Sequence, residues 1–139
     1  MNKFWIIILC LLTACGVTEQ GQSGEQIVCT VAYRSSVSVA IEREETLTFT
    51  NSRGEQLLMF DEATFHAAFD TGEQGGERSL RLWVTDTIEN SAIYQSHLYQ
   101  LDANSFPTNQ FAGDHGFTGL HYSYPRGDSA ELQYWCSTR

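Results

Sequence analysis

Apolar positions recur along the chain in short runs separated by clusters of Gly, Asn, Asp and Ser. The clusters fall at Arg34 to Ser38, Asn51 to Gly54, Thr71 to Gly76, Asp86 to Ser91, Asp102 to Asn109 and Pro125 to Ser129. Such residues tolerate positive φ or cap a turn with a side-chain oxygen, so each cluster marks a reversal of the chain. The runs between them predict strands at 26–33, 39–50, 55–60, 63–70, 78–85, 92–101, 117–124 and 130–137. Leu47 and Phe49 alternate with Thr46, Thr48 and Thr50, and Leu80, Leu82 and Val84 alternate with Arg81, Trp83 and Thr85. This two-residue period is that of a strand with one face buried. The run Leu57-Leu58-Met59-Phe60 does not alternate and predicts a strand covered on both faces. Residues 61–70 carry two signals. An Asp cap with Phe65 and Phe69 four apart fits a short helix, whereas Phe65, Ala67 and Phe69 alternate as in a strand, and the strand is preferred. The expected fold is all-β, a single antiparallel β-sandwich or barrel of about seven or eight strands.

The first residues do not belong to that pattern. Met1-Asn2-Lys3 is a short cationic start, and Phe4 to Leu12 is an apolar run with the form of a signal-peptide core. At 1.5 Å per residue it is too short to span a hydrocarbon layer of roughly 30 Å. It ends in Leu12-Thr13-Ala14-Cys15-Gly16, which resembles the lipobox of bacterial lipoproteins. The resemblance covers residues 1–16 only. It implies a signal peptide at 1–14, cleavage before Cys15, diacylglycerol on the Cys15 thiol and an acyl group on its amine. Gly16 is not the Asp that resembles an inner-membrane retention signal, so the implied location is the outer membrane or cell surface. Residues 16–25, polar and Gly-containing, read as a flexible tether with a root-mean-square reach of roughly 17 to 19 Å. The β domain is then 26–139.

Four cysteines divide accordingly into Cys10 in the leader, Cys15 at the lipid site, and Cys29 with Cys136. An exported chain oxidises its remaining pair. Ile27, Cys29, Val31 and Tyr33 share one strand face, as do Leu132, Tyr134 and Cys136, so both thiols point toward apolar neighbours and a bridge ties the first strand to the last.

Charge narrows the partners. The chain has 8 Lys and Arg against 17 Asp and Glu; without Lys3 the count is 7 against 17, a formal charge of −10, and every remaining cation is arginine. That sign disfavours nucleic-acid phosphates and anionic headgroups and favours a cationic protein. Candidate chemistry is sparse. No Gly-x-Ser-x-Gly, Ser-x-x-Lys, HExxH or phosphate loop occurs, and neither a catalytic residue nor a cofactor or metal is assigned. Asp114, His115 and His121 have ligand-type side chains, but the intervening glycines make a turn the simpler reading of 113–116. Arg126-Gly127-Asp128 matches turn chemistry, and Glu42, Glu44, Glu45 and Glu55 fit a charged strand edge.

The last hairpin offers the nearest approach to a ligand face. A five-residue loop, 125–129, opposes Gly119 to Trp135 and His121 to Gln133, with Trp135 over the bare glycine; a three-residue loop opposes His121 to Trp135. Both place Leu120, Tyr122 and Tyr124 inward and His121, Gln133 and Trp135 outward. An indole ringed by hydrogen-bonding groups suits a sugar or peptide. The expected function is therefore an envelope-anchored, non-catalytic binding or structural lipoprotein. The alternatives are an inhibitor of a basic secreted enzyme, a carbohydrate-binding module using Trp135, Trp83 and exposed tyrosines, and, last in order, an enzyme with an unrecognised site.

Overall fold

A computed structural model describes residues 25–50, 53–72, 77–87, 92–125 and 130–139. The leader, Cys15, residues 16–24 of the tether and Arg126-Gly127-Asp128 lie outside them. Eight strands form: β1 (Ile27–Arg34), β2 (Arg43–Phe49), β3 (Gly54–Met59), β4 (Ala63–Asp70), β5 (Arg78–Asp86), β6 (Ile93–Leu101), β7 (His121–Ser123) and β8 (Glu131–Thr138). They make two antiparallel four-stranded sheets, ordered β2-β1-β8-β7 and β3-β4-β5-β6. The segment at 63–70 is a strand, because its alternation buries Phe65, Ala67 and Phe69 against β5 and leaves His66, Ala68 and Asp70 half-buried on the opposite face.

The inner faces of the two sheets meet in one apolar core. Ile27, Cys29 and Val31 of β1 and Leu132, Tyr134 and Cys136 of β8 face Phe65 and Phe69 of β4 and Leu80, Leu82 and Val84 of β5. Phe65 and Tyr134 touch across the sheets with ring centroids 5.0 Å apart. Phe49 and Phe69 do the same at 6.1 Å. These contacts remove large aromatic surfaces from water and fix the spacing of the layers.

The first and last strands are direct neighbours. Cys29 and Cys136 are opposed in the β1–β8 ladder and joined by a disulfide, at a sequence separation of 107. Gln26 and Arg139 exchange backbone bonds of 2.9 Å in both directions just beyond it, so the two ends of the domain leave side by side.

Three expectations are corrected. The second strand begins at Arg43, since Val39 N–H bonds the Ser36 carbonyl and Glu42 N–H bonds the Tyr33 carbonyl, making 35–42 a turn. Leu57 and Met59 are exposed, at 49% and 58%, so β3 is covered on one face only. Residues 117–120 are not strand. Gly119 N–H bonds the His115 carbonyl in a tight turn, and the strand starts only at His121.

That turn belongs to a long connection, 102–120, which docks along the end of β8. Thr118 Oγ1 accepts from Cys136 N–H at 2.7 Å, and Phe117 N–H donates to the Cys136 carbonyl at 3.0 Å. The Asn109 side chain accepts from Thr138 N–H and donates to its carbonyl, imitating a strand partner. Gly116, at φ +63°, lies so close to β8 that a Cβ there would stand 2.0 Å from the Cys136 carbonyl oxygen. Only glycine meets both demands.

The bridge restrains nearly the whole unfolded domain. Its loss, by reduction or by Cys29→Ala with Cys136→Ala, is expected to cost about 4 to 5 kcal/mol of loop-closure entropy. Denaturant unfolding of oxidised and reduced protein checks this, and coincident midpoints would contradict it.

Candidate functional site

The terminal hairpin pairs in a register that neither loop length anticipated: His121 with Tyr134, Tyr122 with Gln133, Ser123 with Leu132. A one-residue slip exchanges the faces of a strand. His121 therefore points inward, beside Tyr134 at 5.4 Å between ring centroids, while Tyr122 and Tyr124 are exposed. The expected face of His121, Gln133 and Trp135 does not form. Gln133 does lie on the outer surface, but its amide donates to Glu131 Oε1 at 2.7 Å. The Glu131 carboxylate also takes Arg34 Nη2 at 2.7 Å and a hydrogen bond from Tyr124. Burial raises the Glu131 pKa, and these partners more than offset it, leaving the carboxyl below its ordinary value. Gln133 thus braces the Arg34–Glu131 ion pair. Trp135 stands half-buried, with the His115 ring edge-on at 5.2 Å, and does not cover Gly119; Phe111 occupies that place.

The Asp114-His115-His121 string is also separated. Asp114 sits in the turn at φ 61°, His115 Nδ1 bonds the Ala112 carbonyl outside the β2-β1-β8-β7 sheet, and His121 is inside. Among the described residues, no group of three or more His, Cys, Asp or Glu is arranged to hold a metal ion.

Two other places gather chemistry. The first is the seam between the edge strands β6 and β7, where His97 and His121 approach to 4.1 Å between ring centroids. Tyr99 Oη lies 2.6 Å from His121 Nε2, which is 3.1 Å from the Thr118 carbonyl. Tyr134, fully buried, closes the cluster, and its hydroxyl and His97 Nε2 have no hydrogen-bond partner among the described residues. Burial pushes both imidazoles below 6.5; for His121 the neighbouring His97 acts in the same direction, and the Thr118 carbonyl opposes it. Burial raises the Tyr99 and Tyr134 hydroxyls, Tyr134 most strongly, with Tyr99 adding to it. The cluster is two neutral imidazoles among phenols.

The second place is the outer face of the β3-β4-β5-β6 sheet. Ladder register lines up Glu55, Ala68, Arg81 and Leu98 across the four strands. Ala68 is too small to fill its position, and a groove of about 560 Å³ lies over it, bounded by Leu98, Arg81, Ser79 and Glu55, with the Arg53–Asp70 ion pair at one end. In the next row Trp83 stacks on His66 at 4.8 Å and 6°, and the Arg81 guanidinium carbon is 4.9 Å from the indole centroid. His66 Nε2 lies 2.9 Å from Thr85 Oγ1, and its Nδ1 stands 3.5 Å from Glu55 Oε1. Leu57, Met59, Ile93 and Leu98 leave the same face apolar and open. Such a surface can take an apolar side chain and orient it with charged rims.

Protein-family models, curated proteins and solved structures give no match to this chain. Its reading rests on its own residues.

The groove was missed from sequence because a lone alanine in a strand carries no signal. Ala68 matters only through its cross-strand neighbours, and those depend on strand order.

The imidazole pair generates a pH dependence of defined sign. Histidines held neutral in the fold but free to protonate near 6.5 when unfolded give stability that is complete above that value and lost as pH falls below it. Glu42, Asp70 and Glu131, with lowered carboxyl values, lose their contribution only at more acid pH, below their ordinary 3.8 to 4.5. Unfolding free energy should therefore fall between about pH 7 and 5, and fall less in His97→Gln. A flat profile for the parent chain over that interval would refute the assignment.

Proposed function

We propose that this chain is an exported, lipid-anchored, non-catalytic binding module that presents the outer face of the β3-β4-β5-β6 sheet to a partner protein. The single observation that carries the reading is the groove over Ala68, an open apolar recess with two arginines and two carboxylates at its margins. The leader resembling a lipobox supports the anchoring, and a disulfide between directly paired strands is consistent with an oxidising compartment. The formal charge favours a cationic partner, since long-range attraction raises the encounter rate before the apolar contact forms. A basic secreted enzyme is one such partner, and inhibition of it is the form this reading takes if its active site is covered. A sugar ligand is less well supported. Trp83 is stacked on His66 and Trp135 is packed against His115, so these indoles have prior partners.

Anchoring is tested by metabolic labelling with a palmitate analogue. Label should appear on the parent chain and vanish in Cys15→Ala, while mass spectrometry of the mature N-terminus should find acylated Cys15. An unlabelled parent chain would remove the anchor from this reading.

The groove is tested separately. Ala68→Trp fills the recess from a position outside the core, so the unfolding midpoint should move little. Salt-sensitive binding to immobilised basic secreted proteins such as lysozyme should drop about tenfold or more, the scale of a lost central contact. Retention of full binding by the filled variant would mean that the groove is not the contact.

A further inference from the structure

The two open sides of the sandwich are not alike. On one side β2 and β3 meet, and the seam is stitched by side chains: Arg43 donates to the Met59 carbonyl at 2.9 Å and Gln56 to the Thr48 carbonyl at 2.8 Å. Those strands also carry charge, with Arg43, Glu44 and Glu45 on β2 and Glu55 on β3. On the other side β7 is three residues long, while β6 runs for nine and, among the described residues, pairs in a ladder with β5. From Gln95 to Leu101 no other backbone hydrogen bond is made among the described residues.

A long edge strand is normally guarded by charge, proline, a β-bulge or a covering loop, because its unpaired N–H and C=O groups are a template for another strand. Ile93–Leu101 has no Asp, Glu, Lys, Arg or Pro, and its one register shift lies at its very start, opposite Val84 and Thr85. It also bears Leu98, 71% exposed, and Ile93, 52% exposed. In a chain of formal charge −9 this is a neutral edge.

We infer that the free edge of β6 pairs antiparallel with β6 of a second copy of this chain. Charge selects that occupant. A foreign strand chosen by an acidic protein would be expected to find complementary carboxylates along the edge, and β6 has none. At the β2 edge two copies would bring Glu44 and Glu45 toward their counterparts, whereas β6 against β6 places no formal charge opposite another. An antiparallel pair related by a two-fold axis is closed, so association stops at two copies rather than growing into fibres. It joins the two β3-β4-β5-β6 sheets into one continuous sheet and sets Leu98 of each copy beside the neutral outer residues Ser96 and Gln100 of the other or beside its own counterpart, depending on register. The grooves over Ala68 would then lie on a shared surface, so the pairing is compatible with the proposed binding role without depending on it.

The test uses the mature chain with its N-terminus intact, taken from whichever fraction contains it and kept in excess detergent. Sedimentation velocity should give a reversible dimer, and hydrogen exchange should show Gln95–Gln100 amides gaining protection as concentration rises. The double variant Ser96→Lys with Leu98→Lys changes two exposed side chains and should leave the unfolding midpoint in place while weakening dimerisation about tenfold or more through like-charge repulsion. A parent chain that stays monomeric to its solubility limit would overturn the inference. So would a dimer whose protection appears on strands other than β6, a reading that needs no variant. Undiminished dimerisation of a folded double variant would overturn it as well.

Discussion

The pairing of β1 with β8 is the constraint on which the other contacts depend. A sandwich of two four-stranded sheets needs its sequence-distant strands brought together before either inner face is complete. Here the chain must close more than a hundred residues to do so. Loop closure on that scale is costly in entropy, and the crosslink between Cys29 and Cys136 removes much of that cost from the folding equilibrium once formed. With β1 and β8 joined, Val31, Leu132 and Tyr134 present a continuous apolar surface on which Phe65, Leu80 and Leu82 settle. The connection 102–120 then has a fixed edge to dock on, since both backbone groups of Cys136 bond to Phe117 and Thr118.

From this frame the two sides of the sandwich diverge. The β2–β3 side is sealed by arginine and glutamine side chains reaching to carbonyls, while the β6–β7 side is held by aromatic and imidazole contacts around His121. The sealed side resists opening through hydrogen bonds that keep their strength over a wide range of acidity. The other relies on imidazoles whose protonated form is disfavoured by burial and, for His121, by the neighbouring His97. Stability is thus unevenly distributed, and the softer side coincides with the uncharged edge strand.

Much of this architecture is legible in the sequence, because a buried strand face leaves a two-residue period. Leu47 and Phe49, Phe65 to Phe69, and Leu80 to Val84 all read correctly, and the paired cysteines follow from their apolar faces. The terminal hairpin reads wrongly for a physical reason. Leu120, Tyr122 and Tyr124 alternate as an inward set would, but tyrosine is amphipathic, and the turn ending at Gly119 starts the strand one residue out of phase with that pattern. Hydrophobicity assigned His121 to the surface, whereas bonding to Tyr99 and Thr118 places it inside. Leu57 and Met59 mislead in the opposite sense, since apolar residues on an uncovered sheet face look like core. Such exposed pairs acquire meaning only when strand order shows what lies beside them.

The side-by-side exit of the chain ends determines how the domain bears load. Because β1 begins and β8 ends at the same edge of the molecule, a force separating the two termini would act on the ladder as on a zipper, breaking its bonds in succession rather than together. Only Gln26 with Arg139, Ile27 with Thr138, and Val28 with Ser137 lie between the pulled ends and the Cys29–Cys136 bond. Tension beyond those pairs passes through covalent sulfur and bypasses the core, so the oxidised domain can be stretched at its ends without being unravelled from them.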